Sequence, residues 1–266
     1  MAQKVHLLII DPQVDFCDPN GSLFVKGADQ DMKRLAKFVR TYGKKFDDIH
    51  VTLDCHHLYD VAHPIFWKDS SGNHPNPFTQ ITKADVDSGK WTTTHPKHFP
   101  RAKQYVAELE KNKKYPLVVW PPHCLIGSPG NGVYAELYSA LRDWETSELA
   151  MVNYVTKGSN PWTEHYSPLK ADVPDPTDPS TQINREFIKS LEEADHLLIA
   201  GEASSHCLAN CIRDLAENAS PDVMRKVVLL KDATSPVTGF ESLADAMISD
   251  MTKLGMRISA TTEYFA

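Results

Sequence analysis

The chain has 266 residues, of which 41% are hydrophobic and 24% are charged, and its formal net charge is −7. This composition is ordinary for a globular protein and argues against a disordered, collagen-like or coiled-coil chain. The acidic balance lacks the basic footprint of a general nucleic-acid binder. No apolar run approaches the roughly 20 residues that span a bilayer, and the residues before Asp11 lack the pattern of a signal peptide. We therefore expect neither a nucleic-acid partner nor a membrane partner.

The cysteines are Cys17, Cys55, Cys124, Cys207 and Cys211. Their number is odd and no pair has the C-x-x-C spacing. A disulfide framework is therefore not expected, and the reducing cytoplasm is the simpler location. Each cysteine is then either a small buried hydrophobe or a reactive thiol.

Short apolar runs alternate with amphipathic stretches along the chain. The runs that predict strands are Val5–Ile10, Ile49–Leu53, Leu149–Val155, His196–Ala200, Val227–Leu230 and Arg257–Ala260. The stretches that predict helices are Asp29–Tyr42, Arg101–Asn112, Val133–Trp144, Thr181–Glu193, Ser205–Asn218 and Glu241–Leu254. Continuous apolar runs are typical of parallel strands that are covered on both faces. The pattern predicts a three-layer α/β fold, in which helices cover a doubly wound, mainly parallel sheet of about six strands.

The stretch 59–100 breaks this alternation and is rich in Pro, Gly, Asn, Ser and Thr. We interpret residues 1–266 as a single domain with a long irregular insertion at about 59–100. A loop of this length is usually a lid or a binding loop.

Polar groups follow the first four predicted strands. Asp11 follows the first strand, Asp54 and His56 follow the second, Lys157 follows the third, and Cys207 comes shortly after the fourth. Ligands of open α/β sheets bind outside the carboxyl ends of the strands. We therefore expect these side chains to converge at one edge of the sheet.

Cys207 is the candidate nucleophile. Ser204 or Ser205 would cap the helix that follows, and a thiol in its first turn would feel the positive end of the helix dipole, which favours the thiolate. The N–H groups of the same turn would be available to a developing oxyanion. The alternative is a buried cysteine that packs as a small hydrophobe, which is how we interpret Cys211 one turn later.

A cysteine nucleophile needs a proton acceptor. Asp11 is the candidate, because a carboxylate there could take the thiol proton and later give it to a leaving amine. Lys157 would lower the pKa of both groups through its charge. His206 is a poor candidate base, because neighbours along a helix point apart. The alternatives are a cap or loop anchor for Asp11 and a solvated loop lysine for Lys157.

Asp54 and His56 are also candidate metal ligands, because residues two apart in an extended chain project to the same side. His63 and His123 are further candidates. Carboxylate and imidazole ligands suit zinc, iron or manganese, and open positions for water would make the site catalytic. The alternative is chance pairing, since the chain has 12 histidines. Those that we interpret as surface or loop residues are His57, His74, His95, His98 and His165.

Three aromatic residues flank these polar candidates: Phe16, Trp120 and Tyr166. Their flat side chains would suit a pocket for a planar ring. The alternative is ordinary core packing.

Five segments resemble motifs of the nicotinamidases in the isochorismatase-like cysteine hydrolase superfamily. In chain order they are Ile10-Asp-Pro-Gln-Val-Asp-Phe-Cys17, Asp54-x-His56, Trp120-Pro-Pro-His-Cys124, Val155-Thr-Lys157-Gly and the turn from Gly201 to Cys207. They occur in the order of the family over nearly the whole chain, which makes the match specific. The resemblance implies the isochorismatase-like hydrolase fold.

For the chemistry, the resemblance implies a triad of Cys207, Asp11 and Lys157. It also implies an oxyanion hole formed by the backbone N–H groups of Ala203 and Cys207, with a cis peptide bond between Glu202 and Ala203.

For the ligands, the resemblance implies one divalent metal ion, either zinc or alternatively iron or manganese, that meets a pyridine nitrogen directly or through water. Its ligands would be Asp54, His56 and His123, with His63 as a fourth. Phe16 and Trp120 would sandwich the substrate ring, and Tyr166 would close the pocket.

Two features depart from the family pattern. His63 lies further from Asp54 than in the short bacterial members. The insertion at 59–100 is longer than usual and would overhang the pocket, where it could alter substrate choice or take part in a subunit contact.

We therefore expect an amidohydrolase that converts nicotinamide to nicotinate and ammonia through a thioester on Cys207. One alternative is a related cysteine hydrolase that acts on another small amide or carbamoyl compound. The other is a catalytically silent metal-binding protein on the same fold. The metal-ligand set favours nicotinamide, because metal-free relatives do not need it. Homo-oligomerisation is left open.

Overall fold

A computed structural model describes residues 3–111 and 116–266. Its strands are β1 Val5–Ile10, β2 Asp48–Asp54, β3 Trp67–Lys68, β4 Gln80–Ile81, β5 Thr92–Thr93, β6 Leu117–Val118, β7 Asn153–Lys157, β8 His196–Gly201, β9 Val227–Leu230 and β10 Arg257–Ser259. Its α-helices are α1 Val14–Cys17, α2 Ala28–Tyr42, α3 Lys83–Asp87, α4 Phe99–Lys111, α5 Ala135–Glu148, α6 Arg185–Glu192, α7 Cys207–Asn218, α8 Val223–Lys226 and α9 Glu241–Lys253. Within the described residues, no helix is both long enough and apolar enough to cross a membrane.

The central sheet has six strands in the order β10-β9-β8-β1-β2-β7. All neighbouring strands in it are parallel. Every residue of β1 is buried, as a parallel strand covered on both faces requires. Helices flank the sheet, with α2 packed on α5 and α7 packed on α9. The predicted α/β fold with a parallel sheet of six strands is confirmed.

The predicted start of the third strand is wrong. The strand β7 begins at Asn153, four residues later than the predicted start at Leu149. Leu149 instead ends α5 in the left-handed conformation, with φ 53°, and is 92% exposed. The apolar character of Leu149 and Met151 extended the predicted strand into a connection that lies on the surface.

The insertion at 59–100 is folded rather than irregular. It contributes Phe66, Trp67 and Ile81 to a second hydrophobic cluster, separate from that of the central sheet. A short antiparallel ladder of β3 with β5 lies within it, and a second ladder of β4 with β6 ties it to the segment after α4. The helix α3 begins with a capping box, in which Thr82 and Asp85 each bond the backbone N–H of the other. The prolines and glycines therefore mark turns between short elements rather than a lack of structure.

A sharp turn follows β8 and leads into α7. Gly201 has φ 104°, and a Cβ there would lie 2.1 Å from the carbonyl oxygen of Ile10, so only glycine fits. The peptide bond between Glu202 and Ala203 is cis, as the resemblance implied. The predicted serine cap is wrong: α7 begins at Cys207, and no side chain caps it.

Candidate active site

Three polar side chains converge at the carboxyl edge of the sheet, from three different elements. Asp11 directly follows β1, Lys157 ends β7 and Cys207 begins α7. The Lys157 Nζ lies 2.9 Å from Asp11 Oδ2 and 3.7 Å from Cys207 Sγ. All three residues are buried. The fold therefore places the ammonium group of Lys157 in contact with both the Asp11 carboxylate and the Cys207 thiol, away from bulk water.

Asp11 is held in an unusual backbone conformation. Its φ is 44°, in the left-handed region that a residue with a side chain rarely adopts. Its N–H donates to Thr52 Oγ1 at 3.0 Å, and the Thr52 hydroxyl donates to Asp11 Oδ1 at 2.5 Å. These two bonds to β2 fix both the backbone and the carboxylate, as the surroundings of a strained residue must.

Burial governs the protonation of these groups. It raises the pKa of Asp11, against the opposing charge of Lys157. For Lys157, burial acts to lower the pKa, but Asp11, Asp54 and Cys207 together hold it well above its ordinary value. Burial also raises the pKa of the Cys207 thiol, and Lys157 opposes this only in part. The helix dipole was expected to favour the thiolate, but the thiolate is not favoured here. Removal from water raises the free energy of the sulfur anion by more than the charge of Lys157 lowers it.

Asp54 connects this group to a cluster of histidines. Its Oδ1 lies 3.1 Å from Lys157 Nζ. The side chain of Gln13 bonds both backbone groups of Asp54: its amide donates to the carbonyl oxygen at 2.7 Å, and its Oε1 accepts from the N–H at 2.7 Å. Gly158, with φ 82°, leaves space for the carboxylate, because a Cβ there would lie 2.5 Å from Asp54 Oδ1.

The second carboxylate oxygen of Asp54 faces two imidazoles. Asp54 Oδ2 lies 3.0 Å from His56 Nε2 and 3.6 Å from His123 Nε2. One donor atom from each of the three residues lies within 4.8 Å of the others, and all three residues are buried. This is a set of nitrogen and oxygen donors that a divalent metal ion could bridge.

His63 lies beside this set. Its ring centroid is 5.2 Å from that of His56 and 5.6 Å from that of His123. Its Nδ1 lies 3.1 Å from the carbonyl oxygen of His57, to which it donates, so the lone pair is on Nε2. That buried Nε2 has no hydrogen-bond partner within the described part of the chain. Burial lowers the pKa of His63 to about 4, so the ring is neutral, as a metal ligand must be.

Two acidic residues near this set were missed by the sequence reasoning. Asp60 Oδ2 lies 3.1 Å from His56 Nδ1, and Glu164 Oε1 lies 4.0 Å from His56 Nε2. Burial raises the pKa of Glu164 to about 8. Neither residue belongs to a motif or follows a predicted strand directly, so no local signal in the sequence could have found them.

A cavity opens beside Cys207. Its lining is mainly apolar and aromatic and consists of Phe16, Leu23, Val25, Asp54, Trp120, His123, Glu164, Tyr166, Ala203, His206, Cys207 and Val237. The Trp120 Nε1–H donates to the Tyr166 hydroxyl at 3.0 Å, which fixes the two rings against each other. The three aromatic residues singled out from the sequence thus line one cavity together with the thiol and two members of the histidine–carboxylate set.

The turn before α7 presents two backbone donors at the same place. Neither the Ala203 N–H nor the Cys207 N–H donates to a protein acceptor in the described part of the chain. Ser205, expected to cap α7, instead accepts from the Val237 N–H at 3.0 Å. Two N–H groups next to the thiol are therefore available to a ligand.

The structure brings together every site residue predicted from the sequence. They are Asp11, Phe16, Asp54, His56, His63, Trp120, His123, Lys157, Tyr166, Ala203 and Cys207. Of the histidines interpreted as surface or loop residues, His165 lies in a loop, as expected, but it is buried, at 6% exposure.

The α/β fold is shared with solved structures that are at most 19% identical in sequence. The yeast nicotinamidase Pnc1p matches with a TM-score of 0.66 at 18% identity, over 96% of this chain and 98% of that chain. PnC1 from L. infantum, solved in complex with nicotinate, matches with a TM-score of 0.61 at 19% identity, over 98% and 94% of the two chains. Pyrazinamidase of Pyrococcus horikoshii, solved in complex with zinc, matches with a TM-score of 0.57 at 17% identity, over 97% and 99%. No family model and no curated protein sequence matches the chain.

Proposed function

We propose that the protein is a nicotinamidase, a cysteine amidohydrolase that converts nicotinamide to nicotinate and ammonia. The observation that carries this proposal is the contact of Lys157 with Asp11, Asp54 and Cys207, which joins a nucleophile and its base to a metal-ligand set. A cavity with aromatic walls adjoins both. The solved structures of the same fold, among them a yeast nicotinamidase and a protein in complex with nicotinate, support this choice of substrate.

The first step is attack on the carboxamide carbon. Burial, with the negative charge of Asp11 adding to its effect, raises the pKa of the Cys207 thiol, so the proton stays on the sulfur until a substrate carbonyl arrives. Asp11 then takes the proton as the C–S bond forms. Lys157 faces both groups and stabilises the negative charge that passes between them. The N–H groups of Ala203 and Cys207 bind the oxyanion of the tetrahedral intermediate.

Ammonia then leaves and the enzyme is regenerated. Asp11, now protonated, gives its proton to the leaving nitrogen as the C–N bond breaks, which a buried carboxyl of raised pKa does readily. The product of this step is a Cys207 thioester. Asp11 next removes a proton from a water molecule that attacks the thioester, and the thiol leaves with that proton. The sum is one amide and one water converted to one acid and one ammonia.

Asp54, His56 and His123 would hold a zinc ion, with His63 as a fourth ligand. The unpartnered Nε2 of His63 and the mixed oxygen and nitrogen donors fit such an ion. A bound ion would supply a Lewis acid for the ring nitrogen of a pyridine substrate. Phe16 and Trp120 flank the ring, and Tyr166 fixes Trp120 through its hydroxyl.

The test is ammonia release from nicotinamide by the purified protein. Cys207→Ala should abolish turnover and leave the circular dichroism spectrum unchanged. Cys211→Ala, which removes a buried thiol one turn later on α7, should retain turnover. Residual activity in Cys207→Ala would overturn the nucleophile. If the native protein hydrolysed another small amide but not nicotinamide, that amide would replace nicotinamide as the proposed substrate.

A further inference from the structure

Glu202 lies in the turn that carries the proposed oxyanion donors, and the mechanism above does not use it. Its carboxyl group and that of Asp31 on α2 both bond Ser235, and the two residues are 1% and 2% exposed. Two buried carboxylates without compensation are costly. The donors around the pair therefore decide which of the two groups carries charge.

Those donors favour charge on Asp31. Arg34 Nη2 donates to Asp31 Oδ1 at 2.6 Å, and the Ser235 hydroxyl donates to Asp31 Oδ2 at 2.6 Å. From the described residues, Glu202 receives one bond, from the Ser235 N–H to Oε2 at 3.1 Å. Its Oε1 accepts no hydrogen bond from any residue in the described part of the chain. If Glu202 Oε1 carries a proton, this oxygen can donate a hydrogen bond.

The groups around Glu202 also favour a proton on this residue. Burial, and after it the charge of Asp31, hold the pKa of Glu202 well above its ordinary value. Ser235 bonds both carboxyl groups, Glu202 through its N–H and Asp31 through its hydroxyl, and so holds them near each other. A hydrogen bond between two carboxyl groups requires a proton on one of them. Arg34 opposes the shift, and the thiol of Cys17 on α1, which also faces Glu202, is uncharged because burial raises its pKa. With Glu202 neutral, Asp31 and Arg34 balance each other.

Glu202 also fixes the position of its neighbour Ala203. The Glu202 side chain bonds the N–H of Ser235, and the N–H of Ser204 donates to the carbonyl oxygen of the same Ser235 at 3.0 Å. The residues on both sides of Ala203 are thus tied to one residue. The Glu202 N–H donates to the Ile10 carbonyl oxygen at 2.7 Å, which ties the turn to the end of β1 as well.

We propose that Glu202 is a positioning residue that acts as a neutral carboxylic acid. It donates a hydrogen bond to Asp31 and accepts one from the Ser235 N–H, and so aims the Ala203 N–H at the oxyanion. This inference rests on the proposed amidase function. Loss of the proton at high pH places two like charges side by side in a buried site. The turn then moves away from Ser235, and stabilisation of the oxyanion is lost.

Kinetics of two variants test the role in the reaction. Glu202→Gln keeps the size, the neutral charge and a donor, so its kcat should stay close to that of the native enzyme, while the alkaline fall of kcat moves to higher pH. Glu202→Leu removes donor and acceptor and should lower kcat about tenfold, less than the loss of a whole oxyanion donor. KM should change less than kcat, because the oxyanion exists only beyond the ground state. Glu186→Gln on α6 is the matched control, since that glutamate is exposed.

Two kinetic results would overturn the proposal. One is an alkaline fall in Glu202→Gln that coincides with that of the native enzyme. The other is a native kcat in Glu202→Leu.

Unfolding measurements test the proton without any use of activity. A folded pKa above the unfolded value of 4.5 means that unfolding releases a proton at higher pH. The stability from this proton is fully present below the unfolded pKa and is lost as pH rises toward the folded one. Glu202→Gln should therefore lose less stability on the alkaline side than the native protein, and equal slopes would overturn the neutral acid. Different slopes in a protein that does not hydrolyse nicotinamide would support the neutral acid and overturn the nicotinamidase function.

Discussion

Asp60 Oδ2 lies 3.1 Å from Nδ1 of His56, on the side of the ring opposite the nitrogen that faces Asp54. The other oxygen of Asp60 accepts from the Ala62 N–H at 2.9 Å, so the carboxylate is fixed on both sides. A carboxylate in this position holds a histidine in one tautomer and orients its other nitrogen toward a metal ion. It also makes that nitrogen a stronger ligand.

Replacement of Asp60 should therefore weaken metal binding. Asp60→Asn should lower the affinity for zinc about 10- to 100-fold, the usual effect of losing such a partner. The measurement is a competition titration with a chromophoric chelator, which does not depend on turnover. Asp87→Asn is a matched control, because Asp87 is an exposed aspartate of the same insertion. Equal affinity in the native protein and Asp60→Asn would contradict the orienting role.

Thr52 should set the pH at which Asp11 becomes a base. Its hydroxyl donates to the carboxylate and so stabilises the ionised form, which lowers the pKa of Asp11 against the effect of burial. Thr52→Val removes this bond, so the pKa of Asp11 rises and the acid limb of kcat/KM moves to higher pH. A hydrogen bond to a charged group contributes about 1.5–3 kcal/mol, which corresponds to a shift of about one to two pH units.

Thr52→Ser is the control for that experiment, because it keeps the hydroxyl and loses only a methyl group. The pH profile of kcat/KM for Thr52→Ser should follow that of the native enzyme. If Thr52→Val and Thr52→Ser gave the same acid limb, the hydroxyl would not act on Asp11.

The sequence predicted the central sheet and the convergence of Asp11, Lys157 and Cys207, because continuous apolar runs mark buried parallel strands and strand ends share an edge. It could not predict the partners that fix these groups. Gln13 and Thr52 reach Asp54 and Asp11 across 41 positions of the chain. Such pairs depend on the register of β1 against β2, which no local pattern reveals.

The charge states were also beyond local patterns. The position of Cys207 at the start of α7 indicated a thiolate, yet burial of the whole site raises the pKa of the thiol. The same holds for Glu202, which looks like an ordinary turn residue in the sequence and lies against Asp31 from α2 in the structure. Burial is a property of the packed fold, and it decides the protonation of each of these groups.

At the opposite end of the sheet, two buried, neutral histidines, His50 and His6, are linked by a chain of hydrogen bonds. The Asn153 side-chain amide donates to His50 Nδ1 at 3.1 Å, which leaves the hydrogen on His50 Nε2. That nitrogen lies 3.3 Å from His6 Nδ1, and His6 Nε2 lies 3.5 Å from Asp48. Burial, and after it His6, lower the pKa of His50 to about 4, and burial also lowers that of His6.

This network should make the protein sensitive to acid. A folded pKa of about 4, below the unfolded value of 6.5, means that unfolding takes up a proton between these values. The stability is fully present above pH 6.5 and is lost as pH falls toward 4. At about 1.4 kcal/mol per pH unit, His50 alone accounts for roughly 3 kcal/mol across this range.

Urea unfolding at neutral pH and at pH 5 should show that His50→Gln loses less stability on acidification than the native protein. The exposed His57 supplies a control, since His57→Gln should keep the native slope; a native slope in His50→Gln would mean that His50 is already charged in the folded protein.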